Sequence, residues 1–270
     1  MSQRRRLDSE LVRRKLARSR EQAAQLIEAG RVTIGGQPAA KAATQVDTAA
    51  AIVVAEAPDG PDYVSRGAHK LIGALDAFTD LDVTGRRCLD AGASTGGFTD
   101  VLLRRGAGHV LAVDVGYGQL AWSLRTDERV TVMERVNVRD LTPEMVGEPP
   151  TLIVGDLSFI SLRLVLPALT AVLAEGGELV MLVKPQFEVG KERVGAGGVV
   201  RDPELRAEAV RDAAAAARKL ELTVKGVTAS PLPGPSGNVE YLIRLGKGPG
   251  HEAVADVAAA VARAVEEGPR

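Results

Sequence analysis

From residue 87 onward the chain alternates short apolar runs with longer amphipathic stretches, and this restricts its fold more than any other feature. The runs lie at 87–91, 109–114, 130–134, 151–156, 178–184, 222–229 and 239–245. Helical spacing fits 68–78, 97–105, 118–124, 161–174 and 202–220. Strands that alternate with helices predict a mostly parallel sheet covered on both faces. A last helix, rich in Ala and Val, is expected over 251–266. Aromatic residues make up only 3% of the chain, so Leu, Val, Ile and Ala must build its core.

The first part of the chain has another rhythm. LDSELVRRKLARS spaces Leu7, Leu11 and Leu16 along one side of a helix that Asp8 or Ser9 can cap. REQAAQLIEAG predicts a second helix closed by Gly30 in a left-handed turn. RVTI, a Gly35-Gly36 turn and Ala51–Val54 complete a small sheet. AEAPDGPD, with two prolines and three acids, has the composition of a linker. The expected division is a head at 1–58, a linker at 59–66 and a large domain at 67–270. Residues 1–41 carry ten Lys/Arg against four Asp/Glu, a net of +6, so the remainder holds −7 of the total of −1. A basic head on an acidic body is suited to a polyanion.

The first strand of the large domain runs into DAGASTGGFTD. Gly92, Gly96 and Gly97 do not fit the G-x-G-x-x-G dinucleotide template, and no Gly-Lys-Ser/Thr follows for a P-loop. Asp114 ends the second strand, 22 residues after Gly92, where a carboxylate can hold ribose hydroxyls. This arrangement suits S-adenosylmethionine, which has an amino-acid end and a ribose but no pyrophosphate. The residues expected to hold it are Asp90, Gly92, Ser94, Thr95, Gly96, Gly97, Phe98, Asp114, Val115 and Asn137, the last beside the adenine.

Four further residues bear on the methyl acceptor. Asp156 ends the fourth strand in GDLSF, and Lys184 ends the fifth, where an unpartnered buried ammonium would be costly. Lys70 precedes the first strand, and Glu240 lies on the last. Such a set can remove the proton from a ribose 2′-hydroxyl. A free lysine, with a pKa of about 10.4, is a poor base at neutral pH, but burial and a second ammonium free its lone pair. In this reading Lys184 is the base, Asp156 and Lys70 tune and position it, and Glu240 orients. GDLSF keeps the Asp and Phe of amine methyltransferases but lacks their prolines, so a base N-methyltransferase stays open as the weaker alternative.

The head offers Arg4, Arg6, Arg13, Arg14, Lys15, Arg18, Arg20 and Lys41 to phosphates. It lacks aromatics, so recognition of shape and backbone is expected rather than base stacking. One cysteine and three scattered histidines argue against a disulfide, a zinc site or any other metal site. MSQRRRLDSE has no apolar core after its arginines, and the longest apolar stretch is broken by Asp156, Arg163 and Pro167. A cytoplasmic protein with no membrane association, most simply a monomer, is therefore expected. PQFEVGKERVGAGGVVR, at 185–201, is long and glycine-rich, a candidate lid. His69 is expected as a surface neighbour of Lys70, Cys88 in the core and Trp122 in packing.

RLDSELVRRKLARSREQA, YVSRGAHKL, DAGASTGGFTD, DVGYGQL, GDLSFISL, VKPQFEVG and SGNVEYL together resemble the TlyA family of bacterial rRNA 2′-O-methyltransferases, of the FtsJ-like class. The likeness spans nearly the whole chain. It implies an α/β fold, a Rossmann-like class I methyltransferase with a seven-stranded, mostly parallel sheet, preceded by a small α+β RNA-binding domain like that of ribosomal protein S-four. It implies a Lys-Asp-Lys-Glu tetrad at Lys70, Asp156, Lys184 and Glu240. It also implies ribosomal RNA as substrate: cytidines of the small subunit and, given the longer N-terminus with RRRLD, of the large subunit as well. Some members carry Arg-x-Trp-Val at the domain junction, where this chain has Pro61-Asp62-Tyr63-Val64. Members are often labelled haemolysins, so a pore former is the alternative from another class. A non-catalytic RNA-binding or assembly factor is a third.

Overall fold

The computed structural model describes residues 4–17, 19–28, 30–55, 63–234 and 236–269. The chain divides into two compact units, Met1–Asp62 and Tyr63–Arg270. Of the expected linker, residues 59–62 lie outside the described residues, as does Arg18. Val64 belongs with the second unit: its N–H donates to Asp100 at 2.9 Å.

In the first unit, helices Leu7–Arg13 and Arg20–Glu28 bury Leu7, Leu11, Ala23, Leu26 and Ile27. Asp8 is not the cap expected of it. The helix starts at Leu7 with no side-chain cap, and the Asp8 carboxylate faces arginines instead. Leu16 also departs from expectation. The helix ends at Arg13, Lys15 takes a left-handed φ of 59°, and the turn leaves Leu16 exposed while Ala17 enters the core. Val32–Ile34 pairs antiparallel with Gln37–Pro38 and with Ile52–Val54. Gly30, Gly35 and Gly36 all have positive φ, as their turns require. A ladder absent from the sequence reading joins Arg4–Arg6 to Gln45–Asp47.

The second unit holds seven strands: β1 Arg87–Ala91, β2 His109–Asp114, β3 Val130–Glu134, β4 Leu152–Gly155, β5 Glu178–Val183, β6 Leu222–Ala229 and β7 Tyr241–Lys247. Their order across the sheet is β3-β2-β1-β4-β5-β7-β6. Strands β1 to β5 pair in parallel, and β7 runs antiparallel to both neighbours. Helices α1 Ala68–Ala77 and α2 Gly97–Arg104 cover one face. Helices α3 Leu162–Val172, α4 Pro203–Lys219 and α5 Val257–Glu267 cover the other. The helix expected over 118–124 shrinks to Trp122–Arg125. It buries Leu124, with Leu120 one turn before it, and leaves Trp122 74% exposed, against the packing role expected of that ring. Cys88 is buried, and burial pushes its thiol up to about 12.

The start of β5 carries a buried ion cluster. Glu178 receives Arg244 Nε at 2.7 Å from β7, with Lys225 Nζ at 3.0 Å from β6 and Arg86 at 3.4 Å. Arg244, itself buried, also reaches Asp80 at 2.5 Å. Burial opposes ionisation of Glu178, but Lys225 and Arg244 outweigh it and hold the carboxyl below its usual range. Removing one member of a buried pair leaves a charge unpaired, at a cost of about 3–5 kcal/mol. We therefore expect Glu178→Ala to lower stability by roughly that amount at pH 7, as measured by urea unfolding. Because the folded carboxyl titrates below its unfolded value, the cluster's contribution exists above that value and vanishes on acidification. The difference between wild type and Glu178→Ala should shrink accordingly as pH falls.

Candidate active site and cofactor cleft

The sheet order decides which strand ends meet. Cys88 to Ala91 of β1 face Leu152 to Gly155 of β4 in parallel register, so Asp156 follows directly beside the glycine turn, with its N–H on Ala91 O at 3.1 Å. On the other side of β4, Met181 of β5 pairs with Gly155, which brings Lys184 level with the tip of Asp156. Val183 of β5 pairs with Tyr241 of β7, so Glu240, one residue before that strand, arrives beside Lys184. Lys70 enters from the first turn of α1.

The four side chains meet. Lys70 Nζ donates to Glu240 Oε2 at 2.5 Å and to Asp156 Oδ2 at 3.3 Å. Lys184 Nζ lies 2.5 Å from Asp156 Oδ1 and 4.0 Å from Glu240 Oε1. Lys70 and Lys184 are 7% and 6% exposed and Glu240 is 0% exposed, so none of the three is a solvated surface charge. Burial opposes ionisation of Asp156, and the Lys184 and Lys70 ammoniums outweigh it, holding its carboxyl below the usual range. Glu240 Oε1 is buried without a hydrogen-bond donor. Position 234, packed against it, is glycine, and a Cβ there would stand 2.6 Å from that oxygen.

Two residues that the sequence reading gave no part in the acceptor site stand beside this group. Ser158 Oγ accepts from Lys184 Nζ at 3.0 Å. Phe159, read only as a mark of amine chemistry, has φ +64° and is 90% exposed, with its ring 5.2 Å from that of Phe187. Non-glycine residues seldom adopt positive φ without a structural or functional reason. The segment 185–201 is tied down rather than open. Glu188 is buried and accepts Ser161 Oγ at 2.5 Å and Leu162 N at 2.7 Å. Asn238 accepts from Val200 N at 2.9 Å and donates to Gly198 O at 2.8 Å.

Ala93 and Ser94 of the glycine turn line a small cleft with Asp114, Gly116, Gln119, Leu120 and Glu134. Asp114 accepts the N–H of Ser94 at 2.8 Å and of Gly116 at 2.6 Å. Asp90 Oδ2 accepts from the Thr99 N–H at 2.9 Å and hydroxyl at 2.7 Å, while its Oδ1 is buried with no partner. The glycines answer to protein packing as much as to a ligand. A Cβ at Gly92 would meet Asp156 O at 2.9 Å, and one at Gly97 would meet Ser65 Oγ at 2.4 Å. Gly96, at φ +98°, caps α2 against Leu120 and Leu124.

Other expected cofactor residues are placed less directly. Phe98 packs into the core, Thr95 and Val115 are exposed, and Asn137 turns its Oδ1 back to Arg139 N at 3.1 Å. Glu134, which the sequence reading missed, lines the cleft while holding Arg125 and the Gly118 N–H. Its signal was an acid at the end of the third apolar run, in register with Asp114. His69 is half-buried, edge-on to Tyr63 at 5.9 Å.

In the head, Arg4, Arg6, Arg13, Lys15, Arg20 and Lys41 are exposed. Arg14 is not available in the same way. It donates to Glu10, Ala50 O and Thr48 O, and its side chain is only 21% exposed, so it braces the small domain. Among the described residues no group of His, Cys, Asp and Glu could hold a metal ion, and no helix is long and apolar enough to cross a membrane.

A Rossmann-like sheet with a glycine turn after its first strand and a lysine-carboxylate group at the adjoining strand ends has the layout of a class I methyltransferase. The chain belongs to the FtsJ-like methyltransferase family, whose model matches residues 63–247; a second model, the S4 domain, matches residues 5–52. Within that family it is 60% identical over 271 residues to the 16S/23S rRNA (cytidine-2′-O)-methyltransferase TlyA of Mycobacterium tuberculosis, covering 100% of both chains. Hemolysin A of Brachyspira hyodysenteriae is 39% identical over 83% of this chain and 92% of its own length. A solved structure from Streptococcus thermophilus with a provisional hemolysin designation superimposes with a TM-score of 0.76 at 39% identity, covering 99% of this chain and 96% of that one.

Burial raises the Asp90 carboxyl to about 7, against the opposing pull of the Thr99 donors. A folded value above the unfolded one means stability that is present in acid and lost as pH rises through about 7. The ligand-free protein should therefore melt at a lower temperature at pH 8 than at pH 6. Asp90→Asn should flatten that dependence in thermal scans.

Proposed function

We propose that the protein transfers a methyl group from S-adenosylmethionine to the ribose 2′-hydroxyl of cytidine in ribosomal RNA. It would act on the small subunit and also on the large. The reading rests on the convergence of Lys70, Asp156, Lys184 and Glu240, and the TlyA relative supports the substrate. The orphaned Asp90 Oδ1 and the position of Asp114 at the end of β2 suit a cofactor with an amino-acid end and ribose hydroxyls. Asp90, Asp114 and the backbone of the turn from Gly92 to Gly97 would hold it. S-adenosylmethionine supplies an electrophilic methyl on a sulfonium, whose positive charge favours a neutral amine nearby.

The chain's own residues do the rest. Lys184 takes the proton from the 2′-hydroxyl as general base. Asp156 and Lys70 fix its position, and Glu240 anchors Lys70 while its free Oε1 accepts a hydrogen bond from the acceptor nucleoside. Holding the hydroxyl in line replaces an encounter from solution, an advantage of up to roughly 7–11 kcal/mol. Phe159 and Phe187 offer apolar faces to the target base. The head, taken as residues 1–58 and matched by the S4 model over residues 5–52, would bind the RNA backbone through its exposed arginines. An rRNA substrate would have the protein act in the cytoplasm, most simply as a monomer.

The test gives purified protein labelled cofactor and unmodified ribosomal subunits, followed by nuclease mapping of the label. Label on the sugar of cytidine is expected; label on a base would favour N-methylation, and none would favour a non-catalytic binder. Lys184→Ala should bind cofactor normally in calorimetry yet lose about 10²–10⁴-fold in transfer rate.

A further inference from the structure

Among the described residues the head buries two carboxylates, Asp8 and Glu10, and each gathers two arginines. Glu10 holds Arg13 at 2.6 Å and Arg14 at 2.7 Å, and Arg14 is spent on backbone carbonyls as well. Asp8 is used differently. Arg6 meets it in a two-pronged contact, Nε to Oδ1 at 3.1 Å and Nη2 to Oδ2 at 2.8 Å. Arg20 Nη2 joins at Oδ2, 3.1 Å away. Ser9 closes the other flank, with its N–H on Oδ1 at 2.7 Å and its hydroxyl at 3.2 Å. The carboxylate is thus enclosed by donors, while the arginine side chains stay 44% and 60% exposed. They come from different elements, the Arg4–Arg6 strand and the first residue of the Arg20–Glu28 helix.

We propose that Asp8 is a positioning residue for RNA binding: it locks Arg6 and Arg20 side by side as one preorganised guanidinium pair for backbone phosphate. The proposal rests on the reading that the head binds RNA. Two features support it. The Arg6 hydrogen bonds, followed by those of Arg20 and Ser9, overcome burial and hold the Asp8 carboxyl far below the usual range, so it stays ionised throughout neutral pH. A guanidinium uses only part of its five-donor fork on one carboxylate, and the rest can meet phosphate with its rotamer already fixed.

Positioning and net charge act on RNA binding with opposite signs when Asp8 loses its charge. Asp8→Asn removes a negative charge from a basic surface. If the head acted only through its field, RNA binding would tighten and depend more steeply on salt. If Asp8 positions the arginines, binding weakens, by about tenfold for two loosened side chains. The experiment uses the full-length protein and unmodified ribosomal subunits, with affinity measured at two salt concentrations and methyl transfer measured against subunit concentration. The expected result for Asp8→Asn is weaker binding, seen as a higher KM with the rate at saturating subunits retained, and partial recovery in Asp8→Glu. Tighter or unchanged binding by a folded Asp8→Asn overturns the proposal. If that variant does not fold, the exposed Arg20→Lys decides: it keeps the charge but gives up the planar fork, and unchanged affinity would overturn the idea. Arg6→Ala with Arg20→Ala separates the two levels, since no loss of affinity there would refute RNA binding by these arginines rather than the role of Asp8 alone.

Discussion

Two lysines and two carboxylates share one small buried volume, and the rest of the catalytic domain is arranged to make that tolerable. Isolated, any one of these charges would be expelled or neutralised. Together they cancel, and each ammonium faces two carboxylates within 4.0 Å. The arrangement depends on the strand order. A parallel β1-β4-β5 core puts the glycine turn, Asp156 and Lys184 in adjacent rows, and the antiparallel β7 delivers Glu240 from the opposite direction. A sheet with β7 turned the other way would carry that carboxylate to the far end.

The far end has its own cluster, built on Glu178 and Arg244, and the two differ in kind. Glu178 is saturated by Lys225, Arg244 and Arg86, so every charge is spent on holding strands together. The tetrad leaves Glu240 Oε1 without a donor, and Asp90 in the neighbouring cleft likewise keeps an empty oxygen. Unmet hydrogen-bonding capacity on a carboxylate, rather than charge alone, separates the tetrad from the Glu178 cluster.

Much of this was legible in the sequence because alternation of apolar runs is a local signal. All seven strands lie within about two residues of the apolar runs that announce them. The tetrad could be anticipated because Asp156 and Lys184 follow apolar runs, where an uncompensated charge is costly. Other features depend on what lies across the fold. Nothing local distinguishes Arg14, which braces two carbonyls, from Arg13 beside it, which stays exposed. Leu16 keeps helical spacing but follows a left-handed turn at Lys15. Trp122 has the size of a core residue, yet Leu120 and Leu124 already occupy the space against Gly96. Gly234 is one glycine among many until Glu240 is seen against it.

The contact between Lys70 and Glu240 joins residues 170 positions apart. On the proposed mechanism a growing polypeptide therefore carries its glycine turn and three of the four charged groups well before it can use them. Contacts so distant in sequence form late, since the loop between them must close first. On that mechanism the protein is accordingly silent until the β6–β7 hairpin adds to β5 at the side of the sheet.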